Sequence, residues 1–123
     1  MILAAQILTA AVALGIVYVG LRYLLAPAAS AATFGLPDWP TEQFHSWLNL
    51  KGVRDIGTGV VTAAVLLTAT PPTVGVVMLA MAVIPAGDML VVLRYRGRRA
   101  LAYGMHGATA AAMAVAGLVL LLG

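Results

Sequence analysis

The sequence predicts an all-α fold: an antiparallel bundle of four transmembrane helices, with a short interfacial helix between helices 1 and 2. Three observations predict it. The 123 residues are 63% hydrophobic and only 9% charged, far from the usual quarter. The apolar residues fall into four runs long enough to cross a bilayer, since about 20 helical residues span its core. Turn-forming clusters separate the runs. One integral membrane domain over 1–123 is expected, with helices at about 2–26, 42–69, 72–95 and 100–122.

Helix 1 is apolar from Ile2 onward. Small residues at 26–31 imitate a signal-peptide cleavage site, but no Lys or Arg precedes the run and the run is long enough to span, so a retained helix is expected. Gly15, Tyr18 and Arg22 share one face. Arg22 sits near an interface, where it can snorkel to phosphate. After Pro27, residues 28–34 can form a short helix on the membrane surface, ended by Gly35-Leu36-Pro37. Thr41 followed by Glu42 and Gln43 marks the start of helix 2. Trp39 and Trp47 suit the headgroup level.

Helix 2 holds the most unusual stretch, Lys51-Gly52-Val53-Arg54-Asp55, inside an otherwise apolar run. Each charge at the centre of a membrane helix costs about 3 kcal/mol on insertion scales, so such groups usually face a protein interior. On a helical wheel Trp47, Lys51, Arg54, Asp55, Thr58 and Thr62 share an arc of about 100°. Gly52 and Gly59 flank this stripe and let a neighbouring helix approach closely.

Helix 3 contains Pro85, which should kink it. Met81, Ile84, Pro85, Asp88 and Tyr95 lie on one side. The segment Arg94-Tyr95-Arg96-Gly97-Arg98-Arg99 is the only strongly basic loop, so the positive-inside rule places it in the cytoplasm and both termini outside, with the plasma membrane as the expected bilayer. Helix 4 puts Tyr103, His106, Gly107 and Ala110 on one face, with small residues at 104, 108, 111 and 112.

The depths of the polar residues agree. Asp88 lies about 9 Å inside the basic loop, His106 about 10 Å, and Asp55 about 12 Å past Trp47. The expected site is a cup open to the cytoplasmic side and closed by the uncharged outer half. Asp55, Asp88, His106 and Arg54 are the candidate catalytic residues. Lys51, Trp47, Thr58, Met81, Tyr103 and Tyr18 are candidates for substrate contact.

Several classes are excluded or disfavoured. There is no Cys, which removes disulfide, thiolate and iron–sulfur chemistry. No dinucleotide, phosphate-loop, zinc-protease or nucleophile-elbow motif is present. The net charge of +3 comes mostly from one loop between apolar helices, so no nucleic-acid partner is expected. Zn²⁺ held by Asp55, Asp88 and His106 lacks the usual close ligand spacing. Haem held by His45 and His106 would need ligands at very different depths. No metal and no cofactor is therefore expected.

Lys51-Gly52-Val53-Arg54-Asp55 with Gly59, Gly87-Asp88, His106-Gly107 and Phe34-Gly35-Leu36-Pro37 together resemble a family of small four-helix integral membrane proteins known only as a domain of unknown function. The resemblance covers nearly the whole chain. It implies a four-helix membrane protein and no established activity.

The residues themselves support three readings. One is acid–base catalysis on a lipophilic small molecule, of isomerase, cyclase or epoxide-opening type. The second is a proton-coupled transporter or binding protein. The third is a structural or accessory subunit, in which the polar cluster only locks the bundle. The partners expected are the lipid bilayer and the lipophilic molecule, and the small-residue faces of helices 2 and 4 also suit a homo-oligomer.

Overall fold

The computed structural model describes every residue from Met1 to Gly123, and every regular element in it is helical. Helix α1 spans Ile2–Leu25 and α2 spans Pro27–Ala32. A 3₁₀ turn, Glu42–Phe44, leads into α3, His45–Thr68. Next come α4, Pro71–Met81, and α5, Val83–Arg94. A basic turn leads to the short α6, Arg99–Leu101, then a π-helical segment, Ala102–Gly107, and α7, Ala108–Leu122.

Three continuous helical stretches of 24 residues are long and apolar enough to cross a membrane: Ile2–Leu25, Pro71–Arg94 and Arg99–Leu122. Helix α3 has the same length of 24 residues but carries Lys51, Arg54 and Asp55, and by composition alone it does not qualify.

The boundaries follow local chemistry. Pro27 and Pro71 occupy first-turn positions, where the missing N–H costs nothing. The surface helix α2 is shorter than expected, because the Thr33 hydroxyl and backbone turn back onto Ser30 O and Phe34 N–H bonds Ala31 O. The expected kink near Pro85 appears as a break at Ala82 between α4 and α5. Its place has a reason: a proline ring collides with the carbonyl four residues earlier, here Met81.

Antiparallel helix pairs approach closely wherever both carry glycine. A Cβ on Gly52 would lie 2.6 Å from Gly20 O, and one on Gly20 2.6 Å from Gly52 O, so α1 and α3 pack backbone to backbone. Gly75 and Gly117 do the same for α4 and α7. Asn49 Nδ2 donates to Tyr23 O at 2.9 Å and ties the start of α3 to the end of α1.

Two apolar cores result. One unites α1, α4 and α7 through Ala5, Val74, Met78, Met113, Ala116 and Leu120, at the uncharged end. The other joins Tyr23, Ala31 and Leu48, with Phe34 against them, at the charged end. The segment after α2 is strapped across that end, with Arg98 N–H donating to Gly35 O at 2.7 Å. Gly35 has φ of 111°, a conformation that favours glycine. Between the two cores α1 and α3 stay in contact, a Cβ on Gly59 falling 2.6 Å from Ala13 O, but this pair diverges from α5 and the π-helical segment.

Candidate functional site

The divergence encloses a cavity of about 550 Å³. Helix α1 lines it with residues from Ala11 to Tyr23, α3 with Lys51, Asp55 and Thr58, and the α4–α5 break with Met81, Ile84, Pro85 and Asp88. The π segment and α7 add Met105, His106, Thr109 and Met113, and the strap adds Thr33 and Phe34. Most of this lining is apolar. Its charged and titratable groups, apart from Tyr18 on the rim, gather at the strap end.

The acid–base geometry centres on His106, which is buried. Its Nε2 lies 2.8 Å from Phe34 O. A carbonyl can only accept, so Nε2 carries the proton and donates. In neutral imidazole, Nδ1 then holds a lone pair. That lone pair faces Asp88 Oδ2 at 3.8 Å. At that distance the two groups face each other without a hydrogen bond, leaving room for a small group or a proton donor between them.

The π segment aims the ring. Its wider turn departs from α-helical spacing just where His106 points inward. Beside it, Gly107 leaves room for the Met89 side chain of α5, whose Sδ would lie 2.8 Å from a Cβ there. Thr109 Oγ1 donates to Met105 O at 2.7 Å and satisfies a carbonyl inside the segment. The Phe34 ring sits 4.4 Å from the imidazole, centre to centre, and fixes its other face.

A second polar unit stands opposite. Lys51 Nζ lies 2.6 Å from Asp55 Oδ2, one turn along α3. The ammonium also lies 4.6 Å from the Tyr23 ring centre and 5.4 Å from that of Phe34. Aromatic faces and a carboxylate together hold the cation in this low-dielectric setting. Removing one partner should therefore cost more than removing both. Asp55→Leu is expected to lower stability by about 1–3 kcal/mol by leaving an unpaired charge, and Lys51→Met with Asp55→Leu by less. Thermal melts in detergent compare the two.

Residues 13–120 match the family model described as Domain of unknown function (DUF4267). The chain belongs to this family. All four motifs of the site, from Phe34-Gly35-Leu36-Pro37 to His106-Gly107, fall inside the matched region. DUF4267 membership assigns no activity. No curated protein and no solved structure matches the chain.

In this DUF4267 chain the structure brings together Asp55, Asp88, His106, Lys51, Thr58, Met81 and Tyr18 around one cavity. Arg54 and Trp47 are exposed and line only a neighbouring recess between α3 and α5, shared with Leu50, Lys51, Asp55, Thr58, Ile84 and Asp88. Arg54, expected among the catalytic residues, thus lies outside the cavity; the cation beside Asp55 is Lys51, because four residues return to the same helix face and one does not. Tyr103 is 58% exposed and lines neither space. The π segment explains this, since unwinding the turn separates Tyr103 from the direction of His106.

Two contributors were missed. Tyr23 is buried, and its place was available from helical spacing: it continues the row through Val12, Ile16 and Val19. Phe34 gave no such signal. Its carbonyl reaches His106 across 72 residues of sequence, and only the folded strap brings them together.

Proposed function

We propose that this DUF4267 protein is a membrane-embedded, cofactor-independent acid–base enzyme acting on a lipophilic small molecule, of isomerase, cyclase or epoxide-opening type. What carries the reading is the Asp88–His106 pair, with the imidazole tautomer set by Phe34 O. In this proposal all four long helices cross the bilayer. The outward faces support α3 as the fourth span: Val53, Val60, Val61 and Leu67 are exposed, while Lys51 and Asp55 are turned inward. The Arg94–Arg99 loop lies in the cytoplasm of a plasma-membrane protein, with both termini outside.

In an isomerisation, Asp88 in its carboxyl form protonates an alkene carbon of the substrate. The resulting cation loses a neighbouring C–H proton to His106 Nδ1, and a new double bond forms. The proton then returns from His106 to Asp88, so the cycle balances without a co-reactant. With an epoxide, the proton goes to the ring oxygen, the C–O bond breaks, and the cation loses a neighbouring C–H proton to His106 Nδ1 to give an allylic alcohol, after which the proton returns to Asp88 as before.

The test uses protein in nanodiscs, in D₂O, with a panel of lipophilic enones, polyenes and epoxides. Substrate turnover, or deuterium uptake at carbon above that of empty nanodiscs, supports the reading. No product and no deuterium uptake with any member of the panel rejects it.

The shared walls of the cavity and the α3–α5 recess favour a second reading, a proton-coupled transporter. Substrate-dependent proton flux into proteoliposomes without chemical change would select it. A purely structural role would be selected if polar substitutions altered stability alone.

A further inference from the structure

The cavity is open at the outer surface of the helices, between α1 and the π-helical segment with the start of α7. Antiparallel α1 and α7 meet at the uncharged end, where Ala5 packs with Ala116 and Leu120. Further along they separate. The rim there is formed by Ala11, Gly15 and Tyr18 on α1, by Met105 in the π-helical segment and by Thr109 on α7. Tyr18 is 60% exposed and Met105 38%, although both line the cavity. Gly15 has no atom within 4 Å of where a Cβ would stand, so the gap is real space rather than a glycine-mediated contact. In this it differs from Gly20, on the same helix, which touches backbone.

Polarity within the cavity is one-sided. Asp88, His106, Lys51 and Asp55 occupy the strap end, and buried Met113 marks the floor in the apolar core. From Tyr18 to Ala11, and from Met105 to Met113, the lining extends about 10–12 Å along the helix axes. A volume of about 550 Å³ falls within the range that holds a small organic ligand.

We infer that a single-chain amphiphile dissolved in the bilayer enters this cavity sideways between α1 and α7, with its tail toward Met113 and its polar end toward Asp88 and His106. This deepens the acid–base reading, and rests on it for the fate of the bound molecule but not for the route. Lipid-side access suits such an occupant because its tail need never cross water. The polar end replaces headgroup hydration with the charged groups at the strap end.

The experiment uses the full chain in nanodiscs containing a diazirine-bearing decanol as photoprobe. Labelling is mapped by mass spectrometry and competed with unlabelled decanol. Wild type should be labelled on the segments carrying Val12, Met105 and Met113, in competition with decanol. Gly15→Trp should fill the gap and lower that labelling at least tenfold. Thr109→Phe closes it from the other helix and should do the same. Gly57→Trp is the control: Gly57 also has no atom near a Cβ position, and it lines neither space.

Unchanged labelling in both folded closing variants overturns the route. So does wild-type labelling spread evenly over the exposed Leu14, Val115 and Leu122. Because the readout is binding, its failure is distinct from failure of the catalytic reading. Lost labelling in Gly15→Trp beside an Asp88→Asn protein that still turns over would keep the portal and remove the proposed acid.

Discussion

Asp88→Asn is expected to reduce turnover by about 10²–10⁴-fold, the usual worth of a positioned general acid or base. That corresponds to about 3–5 kcal/mol of transition-state stabilisation. The amide keeps the shape of the carboxyl and its place beside His106 but exchanges no proton at neutral pH. Thermal stability in detergent should change little, because Asp88 Oδ2 lies 3.8 Å from Nδ1 and is not part of a tight hydrogen bond. His106→Gln is the matching variant. Its amide can still donate to Phe34 O, so the strap stays attached, while proton exchange is lost. The double variant should be no worse than either single one, since in the proposed cycle one proton passes from Asp88 through the substrate to His106 and back, so the two act as a unit. Independent, multiplying losses would argue against that cycle. Near-wild-type turnover in Asp88→Asn would remove the proposed mechanism.

Gly52→Leu is expected to have the largest effect on stability, about 3 kcal/mol or more, read from denaturation followed by circular dichroism. The reason is what surrounds the position. Even a single methyl would stand 2.6 Å from Gly20 O and 3.0 Å from Tyr23 Cβ, so backbone has to move. Forcing α1 from α3 also breaks the Asn49–Tyr23 bond and draws the Tyr23 ring away from the Lys51 ammonium. Loss of the fold and loss of the site should therefore coincide in this variant. Gly57→Leu, one and a half turns along the same helix in open space, should cost well under 1 kcal/mol. Equal stability of the two variants would mean that α1 and α3 do not pack as described.

Much of the bundle was legible because apolar length and turn chemistry act locally. The ends of the four long helices fall within about three residues of expectation, 3₁₀ turn aside. Pro85 announced its break, misplaced by a turn because a proline disturbs the carbonyl behind it. The charged stripe on α3 is legible as one arc of a helical wheel, and the four-residue spacing of Lys51 and Asp55 suits the ion pair that the structure shows, whereas nothing local tells that Arg54 turns away from the cavity. Tyr103 was misjudged for another reason. An α-helical wheel was applied to residues that wind as a π-helix, and no residue type specifies such a bulge by itself.

By itself the sequence determined that this is an all-helical chain with four long helices, three of which the structure shows to be apolar enough to cross a membrane, and that its few charged residues lie near one end. Periodicity and transfer energy decide those things residue by residue, without reference to distant parts of the chain. Only the tertiary structure decided the chemistry of the site. The tautomer of His106 depends on Phe34 O, the direction of its ring on a widened turn, and the sideways opening on how far α1 and α7 diverge. The first and last of these are relations between segments far apart in sequence, set by how the strap and the helices pack; the widened turn is local, but no residue type announces it.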